Sequence, residues 1–495
     1  MDNKVPRVVI AALRGGSGKT TLSLGLIASW RQRAGDIVPF KKGPDYIDAG
    51  WLALAAGRPC YNLDPYMMNG EQILDSFAHR SFGSYGAVIE GNRGLFDGMD
   101  EAGSCSTAEV AKLLQAPVLL VVDGTKITRT AAALVLGCLK LDPHLSIRGV
   151  ILNRVAGSRH ERMLRSTIEH YAGVPVVGAI PRLRDNAFPE RHMGLMTALE
   201  HPDAREAILA RIHVVERYLD VERVIGFAGE APMLEQPRSV SWKQSRTVAC
   251  RQPVIGVIAD SAFQFYYPEN LEALQRCGAR VIRISALQDR SVPKLDALYV
   301  GGGFPETHAA QLAANSGFRK SLKKVVHSGL PVYAECGGLM YLGRKLHLEG
   351  KTYPMVDVLP MDFELRKRPQ AHGYTEMEVI APNPFYPVGI TLKGHEFHYS
   401  RVIHADPNKF SLVFRMRRGT GILDEMDGVC YKNVLATYSH VHAVGSPEWA
   451  EGLVQKALAF QQHRITREAK KNGREDESTR VFSSAEVPTY QNLRR

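Results

Sequence analysis

The sequence predicts two α/β domains in series, each built on a parallel sheet with helices on its faces, and a polar tail behind them. Three observations carry this expectation. Short apolar, β-rich runs alternate with longer amphipathic stretches over roughly the first two hundred residues, and again after about residue 253. A glycine-rich loop of phosphate-binding type lies between the first run and the first helix. Much later, an apolar run turns through small residues into a helix, with a cysteine at the corner.

Length and composition bound the rest. The chain has 495 residues, 45% hydrophobic and 23% charged, the ordinary balance of a globular protein. At about 100–200 residues per domain this allows two to four domains. No stretch approaches the roughly 20 uninterrupted apolar residues of a membrane span. The start, MDNKVPRVVIAAL, reads as a first strand and not as a signal peptide. Seven scattered cysteines without a C-x-x-C pair fit a reducing, cytoplasmic setting and exclude a cysteine-based zinc site of the usual spacing. The net charge of +11 comes without a long basic block or base-stacking motif, so it points to an anionic small molecule and not to nucleic acid.

The first domain is expected over residues 1–228, with strands at Arg7–Leu13, Ala87–Glu90, Val118–Val122, Gly149–Leu152 and Val174–Ile180. Residues 229–252 lack periodicity and read as a linker. The second domain, residues 253–463, opens with strands at Val254–Ala259, Arg280–Ile284, Ala297–Val300 and Val332–Ala334. Residues 464–495 are too poor in apolar side chains to pack and are expected to form a disordered tail.

The segment Arg14-Gly15-Gly16-Ser17-Gly18-Lys19-Thr20-Thr21 follows the first strand and opens a helix. Glycines let the backbone N–H groups turn toward phosphate oxygens, and the helix N-terminus adds partial positive charge. Lys19 reaches the terminal phosphates and the Thr20 hydroxyl suits Mg²⁺. Leu13 stands where the commonest form of this loop has its first glycine, so the variant with two glycines after a basic residue fits better. Two further groups supply carboxylates. Lys41-Lys42-Gly43-Pro44-Asp45-Tyr46-Ile47-Asp48 presents Asp45 and Asp48 on a loop, and Glu90 ends a strand ahead of the Gly-rich run that holds Asp97. Ligands bind at the carboxyl ends of parallel strands, which puts Glu90 at the same edge as the phosphate loop. Asp45 and Glu90, with Thr20, are the candidate metal ligands. Asn153, after another strand, either reads the nucleotide base or caps the strand end.

In the second domain, Val332-Tyr333-Ala334-Glu335-Cys336-Gly337-Gly338 has the form of a nucleophile elbow. A helix N-terminus at Cys336 would favour its thiolate. The triple-glycine loop Gly301-Gly302-Gly303 follows another strand, and its N–H groups, with that of Gly337, could form an oxyanion hole. A base is needed, and Thr437-Tyr438-Ser439-His440-Val441-His442 offers two candidates between which the residues alone decide little. In Gly394-His395-Glu396-Phe397-His398 a single residue separates the glutamate from the second histidine, where a zinc-binding helix needs two.

In this order, the phosphate loop, G-P-D-Y-I-D, E-G-x-x-G-L-F-D-G, A-E-C-G-G and the late Y-x-H-x-H resemble the cobyrinic acid a,c-diamide synthase family, from about Arg7 to Gln462. The resemblance implies a dethiobiotin-synthetase-like P-loop ATP-binding domain joined to a flavodoxin-like, three-layer type 1 glutamine amidotransferase domain. It makes Cys336 the glutaminase nucleophile and His440 its base. It places Asp45, Tyr46, Ile47, Asp48, Glu90 and Asp97 at the amidation site. ATP, Mg²⁺, glutamine and a polycarboxylate tetrapyrrole follow as ligands, with Lys41, Lys42 and Arg93 available to its spare carboxylates. Ammonia must pass between the two sites, across packed domains or an interface that a homodimer could supply. Ordinary type 1 amidotransferases carry a glutamate two residues after the catalytic histidine. Here that position is His442, which implies a Cys–His dyad with no carboxylate orienter. Nickel-sirohydrochlorin and hydrogenobyrinic acid are the rival acceptors. A partitioning-type ATPase switch is the rival of a different class, and it leaves Cys336 and His440 unused.

Overall fold

The computed structural model describes residues 4–183, 190–191, 194–234 and 252–471. The first domain is a seven-stranded sheet of β1 (Arg7–Ala12), β2 (Ile37–Lys42), β3 (Tyr61–Leu63), β4 (Gly86–Glu90), β5 (Val118–Asp123), β6 (Ile147–Val155) and β7 (Val176–Pro181). Its order is β3-β2-β4-β1-β5-β6-β7 and every pairing is parallel. Alternation along β1 shows why the run is apolar throughout. Val9 and Ala11 enter one core while Val8, Ile10 and Ala12 enter the other, so both faces are covered. The strands β2 and β3 escaped the sequence reading because Lys41 and Lys42 interrupt the apolar signal of β2, and β3 is three residues long. Helix α1 (Lys19–Ala34) starts from Gly18, whose φ of 94° is left-handed. A Cβ there would lie 2.3 Å from the Asn153 Nδ2 atom, so only glycine fits. A ribbon of β8 (Glu190–Arg191) and β9 (Gly194–Leu195) follows.

The second domain holds β10 (Val254–Ile258), β11 (Arg280–Ile284), β12 (Ala297–Val300), β13 (Val332–Glu335), β14 (Lys345–Leu348), β15 (Lys351–Pro354), β16 (Met361–Leu365), β17 (Ala371–Val379), β18 (Thr391–His398), β19 (Ser400–Ala405), β20 (Ser411–Arg418), β21 (Met426–Tyr431), β22 (Val434–Thr437) and β23 (His440–Val441). Ten of them form one sheet, β11-β10-β12-β13-β22-β21-β20-β17-β18-β23, and β14, β15, β16 and β19 form a second. The first five of the ten are parallel, as the α/β pattern predicts. The other five run antiparallel. This extension was not anticipated, and it is what brings His395 on β18 opposite His440 on β23.

The closing helix, Glu448–Lys471, continues past the expected tail boundary at residue 464. Side-chain anchors account for the extension. Asp296 accepts from Gln461 at 2.9 Å and from Arg464 at 2.5 Å, and Lys294 pairs with Glu468 at 3.0 Å. The remainder of the tail and most of the linker, residues 235–251, lie outside the described residues. Among the described residues, no helix is long and apolar enough to cross a membrane.

The domains are joined by buried polar contacts. Asn62 N–H donates to Glu269 Oε1 at 3.1 Å, Tyr374 donates to Asp64 Oδ2 at 2.9 Å, and Arg80 pairs with Glu272 at 2.9 Å. These contacts set the first domain against the helix Pro268–Arg276 and β17 of the second domain.

Candidate active site

The phosphate loop is held from behind. Asn153 Nδ2 donates to Ser17 O at 2.8 Å, Arg154 Nη2 donates to Gly16 O at 2.8 Å, and Ser17 Oγ donates to Arg14 O at 3.0 Å. Asp123 anchors both Arg154 and Arg14, at 2.7 and 3.0 Å. Burial opposes its charge, but bonds from Thr125 and the two arginines hold its carboxyl well below the usual range. Asn153 therefore supports the loop through its side chain. Asp123 and Arg154 form a brace that the motif alone does not reveal. Lys19 lies under the loop, its Nζ donating to Arg93 O at 2.7 Å, and burial, then Lys41, lowers its pKa.

The predicted carboxylates gather beside it around one lysine. Lys41 and Glu90 are register partners on β2 and β4. The buried Lys41 Nζ lies 2.6 Å from Glu90 Oε1, 2.6 Å from Asp48 Oδ2 and 3.8 Å from Asp45 Oδ2. Glu90 Oε1 also accepts from Thr20 Oγ1 at 2.9 Å. Burial works against the Lys41 charge, yet Asp48 and Glu90 raise its pKa well above normal. Lys41 is thus neutralised from within and, contrary to the expectation from the sequence, is not available to an acceptor's carboxylates. Burial and the Asp48 charge push the Asp45 carboxyl up, whereas at Asp48 burial is overcome by Lys41 together with hydrogen bonds to Asp45 and Glu90, and the carboxyl is held down. Asp97 accepts from Gly94 N–H at 2.8 Å, so its carboxylate shapes the loop while it also lines the cavity. Ile47 opens the helix Ile47–Ala56 and lines the same cavity.

In the second domain Cys336 stands at the end of β13 with φ 47° and ψ −99°, a strained left-handed backbone of the kind a nucleophile elbow requires. The side chain is buried, 6% exposed. Burial pushes the thiol pKa up, with Glu306 adding to it, and the Gly337 N–H offsets only part. Burial thus opposes the thiolate that a helix N-terminus at Cys336 would favour. Gly303 and Gly337 do come together: a Cβ on Gly337 would lie 3.1 Å from the Gly303 nitrogen. Gly302 faces His440 so closely that its Cβ would be 2.5 Å from the imidazole Cε1.

His440 is not without a carboxylate. Its Nδ1 lies 3.3 Å from Glu335 Oε2, and Glu335 also accepts from the Tyr299 hydroxyl at 2.9 Å and the Val441 N–H at 3.3 Å. This corrects the expected dyad. The carboxylate facing His440 comes from the residue before Cys336, while His442 faces Glu269 at 3.6 Å. The His440 ring stacks on His395 at 4.9 Å and meets the edge of Tyr46 at 5.4 Å. Tyr46 in turn stacks on Phe265 at 5.2 Å. One residue of the G-P-D-Y-I-D segment thus touches the imidazole of the other domain.

Between the domains lies a cavity of about 910 Å³. Gly15, Lys19, Asp48 and Glu90 line one wall, and His372, Glu396, Arg418 and His440 line the other.

Comparison with known proteins agrees with both halves. Residues 8–195 match the CobQ/CobB/MinD/ParA nucleotide binding domain, and residues 254–448 match the CobB/CobQ-like glutamine amidotransferase domain. Fold and site together define an ATP-dependent amide ligase that draws its nitrogen from glutamine. The cobyrinate a,c-diamide synthase of Magnetococcus marinus is 40% identical over 457 residues, covering 92% of this chain and 98% of that protein. That of Archaeoglobus fulgidus is 40% identical over 455 residues, with coverage of 92% and 98%. That of Methanosarcina acetivorans is 38% identical over 486 residues, with coverage of 94% and 97%. The chain belongs to the cobyrinate a,c-diamide synthase family.

Proposed function

We propose that this chain converts the a- and c-side-chain carboxylates of cobyrinate to amides, with ATP as phosphoryl donor and glutamine as nitrogen donor. The observation that carries the reading is the single cavity lined by both the phosphate-loop Lys19 and the imidazole of His440.

In the second domain, Glu335 accepts the Nδ1 proton of His440, which leaves Nε2 to take the Cys336 proton. The sulfur then attacks the glutamine side-chain carbonyl. A C–S bond forms, the oxyanion is met by the N–H groups of Gly303 and Gly337, and the C–N bond breaks as His440 returns the proton to departing ammonia. Water hydrolyses the thioester to glutamate. Burial raises the thiol pKa, so removal of the Cys336 proton depends on a base such as His440.

In the first domain, the phosphate loop and Lys19 position ATP for transfer of its terminal phosphoryl group to an acceptor carboxylate, forming an acyl phosphate and releasing ADP. Ammonia attacks the acyl carbon, phosphate leaves, and the amide remains. The residues fit a Mg²⁺ ion. Glu90 Oε2 is buried without a hydrogen-bond partner among the described residues, beside the Thr20 hydroxyl. Thr20 and Glu90 would hold the ion, whose charge would screen the phosphate oxygens. Tyr46, which also lines the cavity and meets the edge of the His440 ring, would stand between the two reactions.

The test is mass spectrometry of products after cobyrinic acid, hydrogenobyrinic acid and nickel-sirohydrochlorin are offered in parallel with ATP and glutamine. Two sequential losses of 1 Da, one per amide formed, are expected with cobyrinic acid. Turnover of another macrocycle in its place would reassign the acceptor, and ATP hydrolysis without any amide would remove the reading.

A further inference from the structure

The cavity's cations divide into those already engaged and those left open. Lys19 donates to a backbone carbonyl, Lys41 is neutralised by Glu90 and Asp48, and Arg154 is held by Asp123. Three others that line the cavity, Lys42, Arg93 and Arg418, have no carboxylate within 4.0 Å and no side-chain hydrogen bond among the described residues. Glu376, the register partner of Arg418, does not come within ion-pair distance of it.

Arg93 and Arg418 are exposed where they line the cavity, whereas Lys42 is buried. Lys42 is only 5% exposed, and an ammonium buried to that extent without a partner is costly unless a ligand supplies the counter-charge. Lys41 and Lys42 alternate along β2, so one faces the Glu90 cluster and the other turns away from it. Arg418 ends β20 in the second domain, and its guanidinium lies 5.6 Å from the ring centroid of Tyr66 in the first. That ring stacks on Tyr374 at 4.4 Å, and Tyr374 is fixed by its bond to Asp64. A cation–π contact orients a guanidinium without neutralising it, which leaves its forked donors for a carboxylate.

We propose that the acceptor is bound across the domain boundary, with Arg418 of the amidotransferase domain joining Lys42 and Arg93 of the nucleotide-binding domain to hold the carboxylates that are not reacting. The inference rests on the cavity being the amidation site, and it goes further by making the second domain part of the acceptor site as well as the source of ammonia. The ligand class is a rigid polycarboxylate, because cations on both walls can be satisfied together only by an acid that spans the gap. The carboxylate to be activated then faces Lys19 and Glu90, and its neighbours remain clamped.

The test uses full-length Arg418→Gln and Arg418→Lys with cobyrinic acid, ATP and saturating ammonium, which bypasses the glutaminase. Loss of a charge-assisted carboxylate contact should raise the acceptor KM of Arg418→Gln about tenfold or more. The ATP KM should stay within about twofold, and Arg418→Lys should recover part of the affinity. The wild-type acceptor KM should also climb with added salt, and less steeply in Arg418→Gln. An unchanged acceptor KM, or equal damage to the KM of ATP, would overturn the clamp while leaving the amidation reading standing. Failure of the unaltered enzyme to amidate cobyrinic acid with ammonium would overturn that reading and the clamp with it.

Discussion

Glu335, at the end of β13 and next to Cys336, and His440, at the start of β23, are 105 residues apart in the chain and meet with Oε2 3.3 Å from Nδ1. A carboxylate can only accept there, so it holds the proton on Nδ1 and leaves Nε2 basic. Glu335→Gln keeps the volume but presents an amide that can donate to Nδ1 and stabilise the wrong tautomer. Glutamine-dependent turnover should fall about a hundredfold or more. Amidation with ammonium should persist, and Glu335→Asp should recover part of the loss. Undiminished glutaminase activity in Glu335→Gln would show the contact to be structural only.

Separation of the two half-reactions follows from the placement of Lys19 and Cys336 in different domains. Cys336→Ala should abolish glutamine-dependent amidation and retain that with ammonium, whereas Lys19→Ala should lose both. Paired rate measurements with the two nitrogen sources check this. Equal loss of both activities in Cys336→Ala would contradict a thiol confined to nitrogen release.

Legibility in the sequence followed the range of the interactions. Gly18, Lys19 and Thr20 act within one turn of backbone, and Cys336 sits at a corner shaped by its own neighbours, so local pattern sufficed for both. Glu335 was missed because its partner is non-local. The available signal was a carboxylate at the end of the fully apolar run Val332–Ala334, since a buried charge requires a partner. Lys41 was misjudged for the converse reason. Its neighbours Asp48 and Glu90 were both seen, but only the β2–β4 register sets their oxygens 2.6 Å from its nitrogen. The antiparallel strands β18 and β20 carry His395 and Arg418; the sequence singled out His395 only within a zinc-like pattern that it does not complete, and no motif marks Arg418.

The Lys41 cluster makes a stability prediction with a defined pH trend. Lys41→Met leaves Asp48 and Glu90 buried without their counter-charge, a loss of about 3–5 kcal/mol. Lys41 now helps to hold the Asp48 carboxyl below its ordinary value against the pull of burial, and its removal lets burial raise that carboxyl. The variant's carboxylates then take up protons on folding, so its deficit should be largest near pH 8 and shrink toward pH 5. Calorimetric melting across that range provides the measurement. A deficit independent of pH would mean that Lys41 contributes packing and not charge.

Across the domain boundary, Glu269 accepts from the Asn62 N–H at 3.1 Å and pairs with His442 Nε2 at 3.6 Å, all three groups being buried. Asn62 also donates its amide to Gly43 O and Asp45 O, at 2.7 and 3.0 Å, so the loop bearing Asp45 is tied to the strand bearing His440. Val444 N–H donates to His442 Nδ1, which directs the Nε2 proton toward Glu269. Burial opposes the Glu269 charge, but His442, Arg80 and a backbone hydrogen bond together hold the carboxyl below its ordinary value of 4.5. A depressed carboxyl contributes stability that is complete above the unfolded value and disappears as pH falls through the folded one. Domain docking should therefore weaken below about pH 4.5. Glu269→Gln should melt lower at pH 7 and lose less than the unaltered protein between pH 5 and pH 3. It should also raise the glutamine hydrolysed per amide formed, because the tie between loop and imidazole is slackened. An unaltered acid transition together with an unaltered glutamate-to-amide ratio would dispose of the link.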